Sequence, residues 1–186
     1  MRIVGGRLKG RTLATPSSRA IRPTSERLRE ALFNILVHAY DDPVTNARVL
    51  DIFAGTGALG IEALSRGAAF AAFIDNGAEA RALLRQNVET LGLGGVTKIL
   101  RRDGARLNEA HPLQPFSLAF CDPPYGKQLG EAALTSLVQG QWLETDAMVI
   151  VEEAASSKFT PPAGFAELER RAYDDTEFVF LRYNGS

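Results

Sequence analysis

The sequence predicts an α/β fold: a seven-stranded, mostly parallel sheet with helices on both faces and an antiparallel hairpin near the C-terminus. Three observations carry this. The 186 residues are 45% hydrophobic and 23% charged, enough chain of ordinary globular composition for one full core. From Arg48 onward, short apolar runs alternate with helical patterns, which implies parallel strands joined by right-handed crossovers. Near the end, Phe165–Tyr173 and Glu177–Tyr183 flank Asp174-Asp175-Thr176, the mark of a hairpin.

The elements follow in order. Residues 1–23 read as an extended basic arm or small hairpin, punctuated by Gly5-Gly6 and Gly10, with Pro16 and Pro23 opposing helix. A leading helix over 24–40 starts at Thr24 or Ser25, either of which can cap it, with Glu26 in the first turn. Leu28, Leu32, Ile35, Leu36 and Ala39 form its apolar stripe, and Asp41-Asp42-Pro43 ends it. Apolar runs at 49–53, 70–74, 96–100, 116–121 and 147–151 predict five strands. Helical patterns fill the gaps at 58–66, ended by Gly67, at 78–91, ended by Gly92, at 104–110 and at 128–139. Residues 1–186 read as one domain whose core spans 48–183.

Composition removes several function classes. No apolar stretch approaches the roughly 20 residues that cross a bilayer, and Met1-Arg2-Ile3-Val4-Gly5-Gly6 lacks the apolar segment of a signal peptide. A cytoplasmic protein with no membrane partner is the expectation. Cys121 is the sole cysteine, so neither an internal disulfide nor a cysteine metal cluster is expected, and no metal is implied. At the end of a buried run, Cys121 reads as a small core residue rather than a nucleophile.

The net charge of −1 hides an asymmetry. Residues 1–30 hold eight cations and two acids, leaving that segment at +6 and the remaining 156 residues at −7. A basic arm on an acidic body suggests a polyanionic partner, most simply nucleic acid.

Two stretches carry chemistry. In Leu50-Asp51-Ile52-Phe53-Ala54-Gly55-Thr56-Gly57-Ala58-Leu59-Gly60, the glycines match G-x-G-x-x-G after a strand and before a helix, a pattern shared with dinucleotide sites. Asp51 points elsewhere, because a carboxylate there repels a pyrophosphate but accepts bonds from an ammonium. S-adenosylmethionine (SAM) has no phosphate and carries an α-amino group, a sulfonium and a ribose diol. Gly55 and Gly57 then let the backbone approach it closely. Asp75, ending the next strand, can accept from the ribose hydroxyls, and Asp103 from the adenine amino group. Each acid could instead merely cap the following helix or turn.

The second stretch is Asp122-Pro123-Pro124-Tyr125, placed where a buried strand ends. A carboxylate, two prolines that fix a turn and an aromatic ring can hold a planar amino group and stack on the ring that bears it. The same residues could simply turn the chain.

Asp51-x-Phe53-x-Gly55-x-Gly57 with Asp122-Pro123-Pro124-Tyr125 resembles the class I SAM-dependent amino methyltransferases, Rossmann-like proteins. Two N-terminal stretches add specificity: Arg2-Ile3-Val4-Gly5-Gly6-x-x-Lys9-Gly10-Arg11, and Arg22-Pro23-Thr24-x-x-Arg27-x-Arg29-Glu30-x-Leu32-Phe33-Asn34. Together they resemble the bacterial RsmD family, which methylates N2 of a guanine in 16S ribosomal RNA. The resemblance implies a SAM site on Asp51, Phe53, Gly55, Gly57, Asp75 and Asp103, closed on one side by Thr24. It implies a target-base site on Asp122, Pro123, Pro124 and Tyr125. Arg2, Arg7, Lys9, Arg11 and Arg22 are the expected RNA contacts, the substrate being 16S rRNA within a partly assembled small subunit and the protein a monomer. The sequence departs from the family at Asn76-Gly77, where members more often carry charged or bulkier residues. The rival readings are an adenine-N6 methyltransferase acting on DNA or RNA, a dinucleotide oxidoreductase, and a non-catalytic RNA-binding assembly factor.

Overall fold

The structure, a computed structural model, describes residues 1–17 and 24–185. Its elements are α1 (Glu26–Ala39), β1 (Arg48–Ile52), α2 (Ala58–Ser65), β2 (Phe70–Ile74), α3 (Ala78–Thr90), β3 (Thr97–Leu100), β4 (Phe116–Cys121), α4 (Leu129–Gln139), β5 (Leu143–Ala154), β6 (Phe165–Tyr173) and β7 (Thr176–Tyr183). The strands form one seven-stranded sheet in the order β3-β2-β1-β4-β5-β7-β6. The first five are mutually parallel; β7 runs antiparallel to β5, and β6 antiparallel to β7. From β1 the chain winds outward to β3 on one side and, from β4, outward on the other. Strand order therefore reverses between β1 and β4, the crevice where open α/β sheets bind ligands.

Alternating side chains supply two cores, as a strand's period of two requires. Val49, Phe73, Leu118, Phe120 and Ile150 face α1, α2 and α3. Leu50, Ile52, Ile74, Ala119 and Val149 face α4, where Trp142 and Phe116 also lie. Ser25, one of the two residues expected to open α1, caps it: its hydroxyl accepts the Leu28 N–H at 3.2 Å.

The helix expected over 104–110 does not form. Its backbone groups find partners outside a helical ladder. Leu107 N–H donates to the Ser136 hydroxyl (2.6 Å), the Asn108 carbonyl accepts from the Trp142 indole (2.8 Å), and Arg102 donates to the carbonyls of Leu107 (2.8 Å) and Glu109 (2.9 Å). Asn108 is left-handed at φ 61°, which breaks a helix in mid-run. In the other direction, β5 exceeds the expected 147–151, because its antiparallel pairing with β7 continues from Met148 to Ala154.

The N-terminal arm is a docked hairpin. Arg2 bridges Thr12, and Ile3, Leu8 and Leu13 are buried. Gly6 lies at φ 78°, and a Cβ there would stand 2.0 Å from the Ser65 carbonyl, so only glycine permits this contact. The amides of Val4 and Gly5 donate to the Glu62 carboxylate at 3.0 and 2.8 Å. The same carboxylate receives Arg29 and Arg66, each at 2.9 Å. Arg29 is fully buried and also donates to the Arg2 carbonyl (2.8 Å) and the Thr24 carbonyl (3.4 Å). Its charge, part of the +6 of the N-terminal segment, is spent inside the protein.

Candidate active site

The sheet register sets the site. Ile52 pairs with Ile74 on one side and Cys121 on the other, and Cys121 pairs with Val151. The residues one step further along these strands therefore stand in one row, Asp75, Phe53, Asp122 and Glu152; the first three have left the sheet, while Glu152 remains in β5, paired with Phe178 of β7. All four line a single cavity of about 770 Å³. Gly55, Thr24, Pro123, Pro124 and Tyr125 line it too, so the two motif stretches face the same space.

Asp51 sits one step deeper and is 1% exposed. One oxygen accepts the Gly60 N–H at 3.0 Å. Burial pushes its carboxyl up to about 8; the Gly60 bond opposes this, and the charge of Asp75 adds to it. Asp75 accepts from Gly55 N–H (3.0 Å) with one oxygen and from Gly77 N–H (2.8 Å) with the other, tying the glycine loop to the start of α3. Each of its oxygens can accept a further bond. Among the described residues, no ion pair involves Asp51, Asp75 or Asp122.

Two expected SAM residues stand apart from the cavity wall. Gly57, at φ 81°, packs against α3, where a Cβ would approach Leu84 to 2.4 Å. Helix packing alone therefore requires glycine at this position. Asp103 is exposed, does not line the cavity, and accepts the Ala105 N–H at 2.9 Å. Phe53 does line it, in a left-handed conformation at φ 58°.

The Asp122–Tyr125 turn is held from several sides. Asp122 N–H donates to the Ile52 carbonyl (3.3 Å), and Gly126 N–H donates to Glu153 (3.2 Å). The Tyr125 hydroxyl contacts the Thr176 hydroxyl at 3.0 Å and the Glu152 carboxylate at 3.4 Å. Thr24 reaches across from the start of α1, its hydroxyl 2.9 Å from Glu152 and 3.3 Å from Asp122. Burial first, then the charge of Glu152 and a hydrogen bond with it, hold the Asp122 carboxyl well above the usual carboxylate range. Cys121, behind this turn, is 1% exposed, and burial pushes its thiol up, as befits an inert core residue.

Sequence reading missed Glu152, Glu153 and Thr176. The signal was present in Glu152-Glu153, two acids ending the apolar run Met148–Val151, where carboxylates are rarely buried without a reason.

The expected RNA contacts are dispersed. Arg2 pairs with Glu26 at 3.4 Å and remains 68% exposed. Arg7 and Lys9 are exposed, and Arg11 donates to the carbonyl of Thr90, the last residue of α3. Arg7 N–H donates to the carbonyl of Ser65, the last residue of α2. Both helices begin at the cavity, with Ala58 and Ala78 in its wall, so the basic hairpin lies at their far ends. Arg22 lies outside the described residues.

The strand order, the C-terminal hairpin and the cavity at the strand ends define a class I methyltransferase fold. An RNA methyltransferase from Salinibacter ruber, solved with S-adenosyl-L-homocysteine, shares it at a TM-score of 0.67 and 11% identity, over 89% of this chain and 95% of that one. Escherichia coli yhhF superposes at a TM-score of 0.82 with 31% identity, over 100% of this chain and 99% of that one. The family described as conserved hypothetical protein 95 matches residues 1–182. Ribosomal RNA small subunit methyltransferase D of Escherichia coli strain K12 is 37% identical over 167 residues, covering 89% of this chain and 81% of that protein. The chain belongs to this family, the RsmD family.

Proposed function

We propose that this chain transfers a methyl group from SAM to the exocyclic N2 amino group of a guanine in 16S small-subunit rRNA. The observation that carries the proposal is the row Asp75, Phe53, Asp122, Glu152 across four adjacent strands in one cavity, where acids suited to a methyl donor lie beside a turn suited to a planar amino group. The acids fit SAM. Asp51 is a buried carboxylate with no cation against it among the described residues, suited to an ammonium, and Asp75 keeps acceptor capacity for a diol.

SAM supplies an electrophilic methyl group on a sulfonium. The chain supplies the nucleophile's orientation. A guanine amino nitrogen is a poor nucleophile because its lone pair is delocalised into the ring. Asp122 and the Pro123 carbonyl each accept one of its N–H groups, which aims the lone pair along the methyl–sulfur axis and favours a pyramidal nitrogen. In its ionised form Asp122 stabilises the cation that develops there, and the raised proton affinity that burial and Glu152 give its carboxyl suits it, or a water beside it, to take the departing proton. Tyr125, its hydroxyl pinned at Thr176, stacks on a base drawn out of its helix. Much of the acceleration comes from positioning.

RNA reaches this site by shape and phosphate contacts, consistent with a partly assembled small subunit as substrate. The deciding experiment incubates the protein with labelled SAM and rRNA from cells lacking the enzyme, then maps the modified atom by mass spectrometry. N2-methylguanine at one position supports the proposal; label on adenine N6 or no transfer overturns it.

A further inference from the structure

We infer that rRNA approaches the cavity over the β3 edge of the sheet, where Arg81 and Arg85 of α3 and Arg101 after β3 hold its phosphates. The inference rests on the methyltransferase proposal and adds the surface on which the substrate lies.

Charge is divided across the sheet. Residues 1–106, which carry the arm and β1 to β3, hold sixteen cations and ten acids; residues 107–186, which carry β4 to β7, hold five cations and twelve acids. Strands β3, β2 and β1 lie together on one side of the point where strand order reverses, and β4, β5, β7 and β6 on the other, so an asymmetry of sequence becomes one of space. The Asp122–Tyr125 turn follows β4 and stands at the boundary. A polyanion bound for that turn is repelled from the β6–β7 side and drawn in over the β3 side.

Three arginines on that side are uncommitted. Arg81 and Arg85 stand four residues apart on one face of α3, about 6 Å along its axis, while the arm engages α3 elsewhere, at Glu79 and Asn87. Ala78, Glu79 and Ala80 line the cavity, so Arg81 follows directly behind its wall. Leu100 pairs with Ile74, and its carbonyl accepts the Asp75 N–H at 3.2 Å. Arg101 therefore comes out of β3 next to Asp75 and extends the row across the strands by a cation. Arg85 and Arg101 are exposed, and Arg81 is half-buried. Among the described residues none of the three forms an ion pair, whereas Arg2, Arg29, Arg66, Arg170 and Arg171 each meet an acid. Arg81 Nη1 is buried with no hydrogen-bond partner, so this guanidinium is unsatisfied in the free protein. A phosphate oxygen against it offsets that cost with a charge-assisted bond. With Arg11 at the far end of α3, these cations mark a path along the helix from the hairpin to the cavity.

The test uses the sole cysteine, Cys121, which is buried. A cysteine introduced at the surface is then the reactive thiol to which an iron chelate is tethered. Gln86→Cys places it beside Arg85 without removing an arginine, and Asp174→Cys places it at the β6–β7 turn. Both proteins are bound to small subunits from cells lacking the enzyme. Hydroxyl radicals from position 86 are expected to cut the rRNA strand around the methylated nucleotide, with little cleavage from position 174. Equal or stronger cleavage from position 174 overturns the inference. A second variant removes all three cations: Arg81→Gln, Arg85→Gln and Arg101→Gln together are expected to reduce the slope of log K against log salt by about 2, for three lost phosphate contacts, with SAM affinity retained. An unchanged slope overturns the inference as well. Methylation of the subunits without cleavage from position 86 sinks this surface alone, whereas cleavage from position 86 without any methyl transfer by wild-type protein sinks the methyltransferase proposal and leaves the surface standing.

Discussion

At the scale of single residues, burial, with neighbouring acids adding to it, explains the raised carboxyls of Asp51 and Asp122. Asp51 illustrates the sign of the effect. The unfolded carboxyl ionises near 4, whereas the folded one holds its proton up to about 8. Between those values the folded state binds more protons than the unfolded chain, so Asp51 costs stability as pH rises through that window. Asp51→Asn is expected to flatten the fall of Tm across it. A ligand ammonium requires the ionised form, so SAM binding at pH 6.5 is expected to release close to one proton from Asp51. Calorimetry in buffers of differing ionisation enthalpy measures this, and Asp51→Asn removes the release. Asp122→Ala is expected to abolish methyl transfer while leaving SAM affinity within severalfold of wild type; near-normal turnover would refute its role at the target amine. In the proposed base site the Tyr125 hydroxyl also anchors the ring. Because its hydroxyl is anchored at Thr176, Tyr125→Phe is expected to raise KM for RNA severalfold through a loosened ring, and Tyr125→Ala to lose most activity.

At the scale of elements, the buried Arg29–Glu62 pair joins the arm, α1 and α2. Glu62 binds the amides of Val4 and Gly5, and Arg29 binds the carbonyls of Arg2 and Thr24, so one ion pair fixes both the arm and the residue that spans Asp122 and Glu152. Removing one partner of such a pair costs about 3–5 kcal/mol, because the other charge stays buried alone. Glu62→Gln is expected to lower Tm on the order of 10 °C and to expose Arg7, Lys9 and Arg11 to trypsin; an unchanged digestion pattern would show that the apolar contacts of Ile3, Leu8 and Leu13 suffice to dock the arm. This hub was invisible in the sequence, where Arg29 is one cation in a basic segment and its partner lies 33 residues away. The strands were legible because each is a short, nearly continuous apolar run, as parallel strands covered on both faces must be. Residues 104–110 misled because helical spacing says nothing about competing partners. Ser136, Trp142 and Arg102 hold the segment in its irregular course, and the left-handed Asn108 interrupts any helix there.

At the scale of the whole molecule, what could be read in advance divides by sequence separation. Asp51, Asp75 and Asp122 were legible because each ends its own strand, and a parallel sheet gathers strand ends at one edge. Glu152 was not, because its place beside Asp122 depends on the register of β4 against β5. The position of the basic arm was not legible either, and it changes how RNA must approach. Arg7 lies at the end of α2, Lys9 follows it in the hairpin, and Arg11 lies at the end of α3, while the cavity lies at the start of α3. The helix has 13 residues, a length of about 20 Å. A substrate that touches both must run along the flank of the molecule rather than cover the cavity mouth alone. Contacts at that distance add affinity and orientation, and they do not touch the reacting atoms. Reversing Arg7, Lys9 and Arg11 to Glu is therefore expected to weaken rRNA binding and to reduce the slope of log K against log salt by about 2, for three lost phosphate contacts. SAM affinity and kcat at saturating rRNA should persist, as should turnover of a short oligonucleotide that spans only the target loop. Unchanged rRNA affinity would mean that the arm only braces the fold, and an equal loss on the short oligonucleotide would mean that the substitutions disturb the cavity itself.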